Sequence, residues 1–294
     1  MESKPKPIVV IIGPTASGKT ATSIQLALKY NGEIIAADSR TVYTGMDIGT
    51  AKPSQEEQKT VPHHGLDLVE PSESYSAAEF QRHAKQQVNE IHGRGKLPII
   101  AGGTGLYVDG FVYDFSFADK PDPGLRHELE LLNLLQLQQR ANELGIDPGQ
   151  VNFANPRHLS RAIERGGVVQ NKRVLPPDVL LVGLRVPKEV LDVRIEKRVG
   201  TMFESGLIDE VQNLIKKYGA DAPGMLAPGY KAIKAYLNGE VTLDEAKEMF
   251  IRNDKKLAKR QITWFKRNPD ILWADNEQDI NRYVADFLTR FDTI

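Results

Sequence analysis

The sequence predicts an α/β fold: a parallel sheet flanked by helices. Two observations carry that reading. Short apolar runs alternate with helix-like stretches through the first hundred residues, and a glycine-rich phosphate loop sits between the first run and the first helix. Residues 8–12 (IVVII) are continuously apolar, as a strand covered on both faces should be. A helical stretch over residues 19–30 follows, and Asn31-Gly32 stops it. Residues 34–37 form a second apolar strand ending at Asp38 and Ser39. Residues 75–92 read as a helix, with Ser74 or Ser76 as N-cap and Gly93 as terminator. Residues 97–101 form a third strand, which runs into the glycine turn at residues 102–105 (GGTG).

The pattern then changes. Residues 119–124 (DKPDPG) are a break, followed by a Leu/Gln-rich helix over residues 125–144 and a short basic helix over residues 156–164. After Pro176 and Pro177, residues 179–184 (VLLVGL) read as another buried strand, so the sheet resumes, and helices dominate from Glu189 onward. The expected organisation is an α/β core over residues 1–115, an inserted helical domain over residues 116–177, and completion of the core over residues 178–294.

Composition narrows the function classes. The chain has 294 residues, 40% of them apolar and 26% charged, which is an ordinary globular balance able to bury a sizeable core. No apolar run approaches the roughly 18 residues of a membrane span. The opening MESKPKP lacks the apolar stretch of a signal peptide, so a cytoplasmic protein without membrane contact is expected; a monomer is expected as well. The absence of cysteine excludes disulfides, thiolate nucleophiles, Fe–S clusters and thiolate zinc sites. Charge is concentrated in one place. Between Arg252 and Arg267, seven cations stand against the single carboxylate of Asp254, while the whole chain carries a net charge of −1. Such clustering suits a phosphate-rich partner. The adjacent pair His63 and His64 lacks acidic company and reads as structural.

The phosphate loop comprises Gly13, Pro14, Thr15, Ala16, Ser17, Gly18, Lys19 and Thr20, a match to G-x-x-x-x-G-K-[ST] between strand and helix. Glycine lets the backbone wrap an anion, the N–H groups and helix N-terminus supply positive potential, and Lys19 adds a full charge. The Thr20 hydroxyl is then available to Mg²⁺. The loop does not specify the reaction. Asp38 could assist Mg²⁺ as in a kinase or ATPase, act as a general base toward a substrate, or simply hold a turn.

Residues 38–52 (DSRTVYTGMDIGTAK) are more specific. Together with the phosphate loop, residues 61–64 (VPHH), 75–80 (YSAAEF), 102–107 (GGTGLY) and 258–264 (AKRQITW), they strongly resemble the bacterial tRNA dimethylallyltransferases, the IPP transferase family. The similarity runs from residue 8 to about residue 267. It implies a P-loop NTPase-like parallel sheet flanked by helices, with an inserted small helical domain. It also implies that the loop grips the diphosphate of dimethylallyl diphosphate, with Mg²⁺, rather than ATP. The dimethylallyl group would go to N6 of the adenosine 3′ of the tRNA anticodon, position 37, releasing diphosphate.

The resemblance assigns general-base chemistry to Asp38 and catalytic roles to Lys19 and Thr104. An R-x-x-x-R-x-x-x-M pattern falls on Arg194, Arg198 and Met202, which makes Arg198 a second diphosphate clamp. The family's tRNA contacts fall on Asp38, Ser39, Arg40, Thr41 and Thr104 in the core, and on Arg126, Arg157, His158, Leu159, Ser160 and Arg161 in the insertion. A last group is Leu226, Ala227, Pro228, Gly229, Tyr230 and Lys231. Independently of family, Arg252, Lys256, Lys259 and Lys266 fall on one side of a helix, with Ile251, Ala258, Ile262 and Phe265 toward the core and Trp264 also read as a core residue. The chain departs from the family at Thr41, Leu226, Pro228, Asp254 and Lys255, and is shorter between Ile163 and Val179. Competing readings are a small-molecule P-loop kinase, a cytokinin-type adenylate isopentenyltransferase and a non-catalytic RNA-binding protein. The insertion and the basic segment argue against a mononucleotide acceptor, which needs neither.

Overall fold

The computed structural model describes residues 5–117, 123–149, 151–166 and 174–291. Six parallel strands form one sheet in the order β3-β2-β4-β1-β5-β6, with β1 Ile8–Ile12, β2 Gly32–Ala37, β3 His63–His64, β4 Leu97–Gly102, β5 Val179–Leu184 and β6 Leu272–Ala274. Every residue of β1, β2 and β5 is buried, which explains the apolar runs of β1 and β5 and of residues 34–37 in β2; Glu33 is the charged exception. The two-residue β3, a pair of histidines, and the three-residue β6 lie at the edges; β6 sits in an apolar run, residues 271–274, that the expectation of helices from Glu189 onward passed over.

Helix termini follow local chemistry. α1 spans Lys19–Lys29, and Asn31 takes a left-handed φ of 49° before β2 starts at Gly32. α3 spans Ala77–Gly93, two residues later than the expected start, because Ser76 and Glu79 form a capping box. Its terminator is also corrected. Gly93 is the last helical residue, and the left-handed position is Gly95, with φ 69°. The glycine turn after β4 does not remain a turn. It opens α4, Gly105–Val112, whose residues are buried from Tyr107 onward. A further short helix, α2 Gln55–Thr60, is started by a capping box at Ser54 and Glu57.

The chain divides into two compact units, residues 114–174 forming one and the rest the other. In the smaller unit, the single helix expected over residues 125–144 is instead two: α5 Pro123–Leu131 and α6 Leu134–Glu143. Asn133 and Gln136 form a capping box that restarts the chain, a signal hidden inside a continuous Leu/Gln pattern. α7, Pro156–Glu164, contributes Leu159, Ala162 and Ile163 to a core shared with Leu129, Leu137, Ala141 and Ile146. The predicted break at residues 119–124 lies mostly outside the described residues, its last two positions opening α5, and residues 167–173 of the shortened segment lie outside them too.

The larger unit is completed by α8 Lys188–Glu204, α9 Leu207–Tyr218, α10 Pro228–Leu237, α11 Leu243–Phe265 and α12 Glu277–Leu288. α11 is the long one. Thr242 and Glu245 cap it, and Ala246, Phe250, Ala258 and Phe265 bury its inner face. Toward the β3 edge of the sheet, Glu33 is 3% exposed and meets His64, Arg94 and Lys96 at 2.7–2.9 Å. Burial alone would raise its pKa, but these three partners outweigh it and hold the carboxyl at about 2. No helix among the described residues is long and apolar enough to cross a membrane.

Register decides where the loops emerge. Gly102 pairs with Ile12 on β1 and with Ala37 on β2, so these three strands end level with one another. The segments starting at Gly13, Asp38 and Gly103 therefore leave the sheet side by side, at the carboxyl edge where open α/β sheets place ligands. The approach is so close that a Cβ on Gly102 would lie 2.0 Å from the Ala37 carbonyl oxygen. Gly102→Ala is expected to cost at least about 3 kcal/mol in urea unfolding, the overpacking regime with backbone as the obstacle. Gly93→Ala, which meets nothing within 4 Å at a helical position, should instead stabilise by about 0.5–1 kcal/mol.

Candidate functional site

The carboxyl edge of the sheet borders a cavity of about 700 Å³, formed entirely within the larger unit. Its first wall is the phosphate loop. Gly18 caps α1 with φ 95°, and Ala16 holds φ 61°, a left-handed conformation that a non-glycine residue adopts only under constraint. No side chain caps the start of α1, and its first turn carries no acidic residue. The helix thus presents free N–H groups and an uncompensated positive dipole end to the cavity. The Ser17 hydroxyl is buried and has no hydrogen-bond partner among the described residues.

Lys19 folds back over the loop, and its Nζ donates to the Pro14 carbonyl at 2.7 Å. Burial lowers its pKa to about 8, with the Asp38 carboxylate opposing the drop and the Arg198 guanidinium adding to it. An ammonium held this way is short of counter-charge, which is the condition a bound polyanion relieves. Arg194 and Arg198 both lie on α8, one turn apart. Arg194 Nη1 donates to the loop carbonyls of Ala16 and Ser17 at 3.4–3.5 Å. Arg198 is partly buried, donates through Nη2 to Asp254 at 2.5 Å, and leaves its Nε buried without a partner among the described residues.

Asp38 stands directly after β2 and borders the same cavity as Arg194 and Arg198. One of its oxygens, Oδ1, accepts the Arg40 N–H at 2.8 Å. Asp38 is therefore a turn residue, as the plainest reading allowed, and also a cavity-lining carboxylate. Thr104 precedes α4 without capping it. Its Oγ1 accepts the Ser39 N–H at 3.0 Å, tying the β4 loop to the residue after Asp38. Thr20, Ser39, Arg40 and Thr41 also border the cavity, and the Thr41 hydroxyl is buried without a partner among the described residues. His63 shares this lining. Its Nδ1 is engaged by the Val61 carbonyl at 2.8 Å, and burial lowers the ring's pKa.

The structure divides the fifteen residues 38–52 between chemistry and scaffolding. Glu210 of α9 accepts the N–H groups of Asp47, Ile48 and Gly49 at 2.6–3.0 Å, and also the Tyr230 hydroxyl at 2.6 Å. Lys52 bridges Asp47 and Asp67 at 2.6 Å each and donates to the Tyr43 carbonyl at 2.9 Å. Sequence reasoning missed Glu210, because nothing local marks a helix glutamate that will accept three distant amides. It likewise missed Gln261 on α11, whose Oε1 accepts the Thr15 N–H at 2.7 Å, and Arg260, which borders the cavity. Residues 258–264 carried the family resemblance and the basic run suggested a partner surface, but neither assigned a role to Arg260 or Gln261.

The residues expected to contact RNA separate by burial. Ala227, Pro228 and Gly229 line the cavity, Leu226 is 47% exposed and Lys231 is exposed. Tyr230 is fully buried against Glu210, so its side chain has no surface to offer a partner. The same correction applies to Leu159, fully buried in the core of the smaller unit. On that unit Arg157, His158 and Arg161 are exposed, Ser160 is half-buried, and the exposed Arg126 pairs with Glu164 at 3.1 Å. On α11, Arg252, Lys256 and Lys259 are all exposed, as is Lys266 just after it, while Ala258 and Phe265 are buried. Trp264 is not a core residue. It is 38% exposed, lies over Gly105, and donates its indole N–H to Asp109 at 2.9 Å.

A family model described as IPP transferase matches residues 41–268. A tRNA dimethylallyltransferase of Anoxybacillus flavithermus is 43% identical, the alignment covering 92% of this chain and 91% of that protein. The crystal structure of a tRNA isopentenylpyrophosphate transferase from Bacillus halodurans superposes with a TM-score of 0.76 at 40% identity, covering 97% of both chains. A eukaryotic dimethylallyltransferase solved acting on tRNA gives a TM-score of 0.81 at 26% identity, covering 98% of this chain and 81% of that one. On this similarity in sequence and overall structure, the chain belongs to the IPP transferase family.

Proposed function

We propose that the protein transfers a dimethylallyl group from dimethylallyl diphosphate to N6 of the adenosine 3′ of the anticodon in tRNA, releasing diphosphate. The observation that supports this most directly is one cavity lined by a half-buried ammonium, a partly buried guanidinium and a carboxylate at the end of the neighbouring strand. Breaking the allylic C–O bond develops negative charge on the leaving diphosphate. The loop amides, the α1 N-terminus, Lys19 and Arg198 favour that charge and therefore the transition state over the ground state.

The adenine amine is a weak nucleophile that becomes acidic only as its bond to carbon forms. Asp38, whose Oδ2 is not engaged by the Arg40 amide, would accept that proton. Thr104 holds the Ser39 backbone beside it. The site also suits a magnesium ion. Among the described residues no group of three or more His, Asp or Glu gathers into a cage, but Mg²⁺ bound by phosphate oxygens and water needs few protein ligands. The Thr20 hydroxyl would hold it, and such an ion neutralises charge on the leaving group.

The target base lies in a folded RNA and must be splayed out to reach a cavity of this kind. The exposed cations of α11 suit backbone contact, and those of α7 offer the smaller unit a similar surface. Nucleoside mass spectrometry of tRNA incubated with the protein and dimethylallyl diphosphate tests the reading. N6-dimethylallyladenosine is the expected product, and consumption of ATP in its place would indicate phosphoryl transfer.

Asp38→Asn should lower turnover by about two to four orders of magnitude while leaving pyrophosphate affinity within about threefold at pH 7. A matching loss of affinity would make Asp38 a metal-supporting carboxylate. Because the Lys19 pKa is lowered to about 8, its charge is present below that pH and lost above it. Calorimetry should show the contribution of Lys19 to pyrophosphate affinity falling by up to about tenfold between pH 8 and pH 9. Lys19→Met should bind more weakly at pH 7 and lack this component. Lys256→Glu with Lys259→Glu should weaken tRNA binding by at least about tenfold and flatten its salt dependence. An unchanged slope would remove α11 from the RNA surface.

A further inference from the structure

Every cation that lines the cavity has a reason to be there if an anion is bound, but one of its carboxylates does not. Glu57 is spent on its capping box, its Oε2 accepting the Ser54 N–H at 2.7 Å. Asp38 stands at the reacting end. Asp254 remains, on the inner face of a helix otherwise dense in lysine and arginine. It is 8% exposed, and its Oδ2 accepts from Arg198 Nη2 at 2.5 Å.

A guanidinium placed only to brace the fold would have its donors satisfied by fixed partners. Arg198 does not. Asp254 is its one recorded hydrogen-bond partner among the described residues, its Nε is buried without any, and the pair lines the cavity alongside Lys19. Burial pushes the Asp254 pKa up, Arg198 pulls it back, and Asp38 adds to the rise, so the carboxylate depends on Arg198 as its counter-ion. An incoming polyanion would compete for that same guanidinium.

We propose that Asp254 is a positioning residue that holds Arg198 ready at the cavity and competes with diphosphate for it, so that the released diphosphate does not stay bound. The chemistry requires such a balance. Substrate and product share the diphosphate group, so cations that bind both equally well tighten the product complex without accelerating the bond-breaking step. A carboxylate that takes Arg198 back as diphosphate leaves offsets part of that attraction. This rests on the proposed diphosphate reading of the cavity.

Inorganic pyrophosphate with Mg²⁺ is the probe, measured by calorimetry. Asp254→Asn keeps an oxygen to accept from Arg198 but removes the charge. It should bind pyrophosphate about tenfold more tightly, with kcat and the KM for dimethylallyl diphosphate falling together. Asp254→Glu, which keeps the charge, should stay within about threefold of the parent protein. Asp254→Ser, smaller and uncharged, should shift affinity in the same direction as Asn and serves if the Asn variant does not fold. In an Arg198→Met background the tightening should vanish, since the two side chains act as one unit. Unchanged or weaker pyrophosphate binding in a folded Asp254→Asn protein overturns the inference, as does tightening that persists without Arg198. Failure of the parent protein to bind pyrophosphate overturns the diphosphate reading itself, and is recognisable because no variant comparison is needed.

Discussion

Keeping an ammonium charged at a half-buried position among other charges is the constraint on which the rest of the cavity turns. Lys19 is held by a backbone carbonyl of its own loop, and burial has already drawn its pKa close to neutral pH. Each neighbour modifies that balance. Asp38 supports the charge, Arg198 opposes it, and Asp254 answers Arg198 in turn. The cavity is thus a set of coupled charges with a positive end that only an anion completes. A polyanionic leaving group suits it, because charge that grows as a bond breaks is what fixed cations stabilise best.

Such a cluster works only if its members cannot drift, and the backbone prevents them. Three strand ends are level because Gly102 allows β4 to press against the Ala37 carbonyl. The loop after β2 is then pinned from outside the sheet, by Glu210 taking three of its amides and by Lys52 tying it to Asp67. Gln261 does the same for the phosphate loop by accepting the Thr15 amide. Glu210 and Gln261 come from helices far away in sequence, and their side-chain oxygens hold the backbone of the site in place.

Much of the architecture was legible from residue order, for identifiable reasons. Strands buried on both faces favour apolar residues, so the runs in β1, β2, β4 and β5 announced themselves despite the paired Glu33 in β2, and the phosphate loop required its glycines and lysine between strand and helix. Where local patterning carried two meanings, it misled. The Leu/Gln run over residues 125–144 is helical at nearly every position by propensity, and only the Asn133 and Gln136 side chains, folded back on the backbone, reveal that the chain stops and restarts. The edge strands β3 and β6 are too short for any period to show. Trp264, aromatic beside the buried Phe265, stays 38% exposed while its indole N–H reaches in to the buried Asp109 carboxylate.

By itself the sequence determined the kind of machine this is: an α/β sheet with an anion cradle after its first strand, a carboxylate at the end of its second, and a densely basic segment over residues 252–267 in an otherwise acidic chain. These features are local, each set by residues adjacent or one turn apart, so order alone reveals them. The tertiary structure alone decided which charges face each other. Arg198 and Asp254 are separated by 56 residues and Glu210 from Ile48 by 162, and no periodicity links such pairs. Their meeting depends on how α8, α9 and α11 pack against the sheet, which is a property of the folded surfaces and not of any segment.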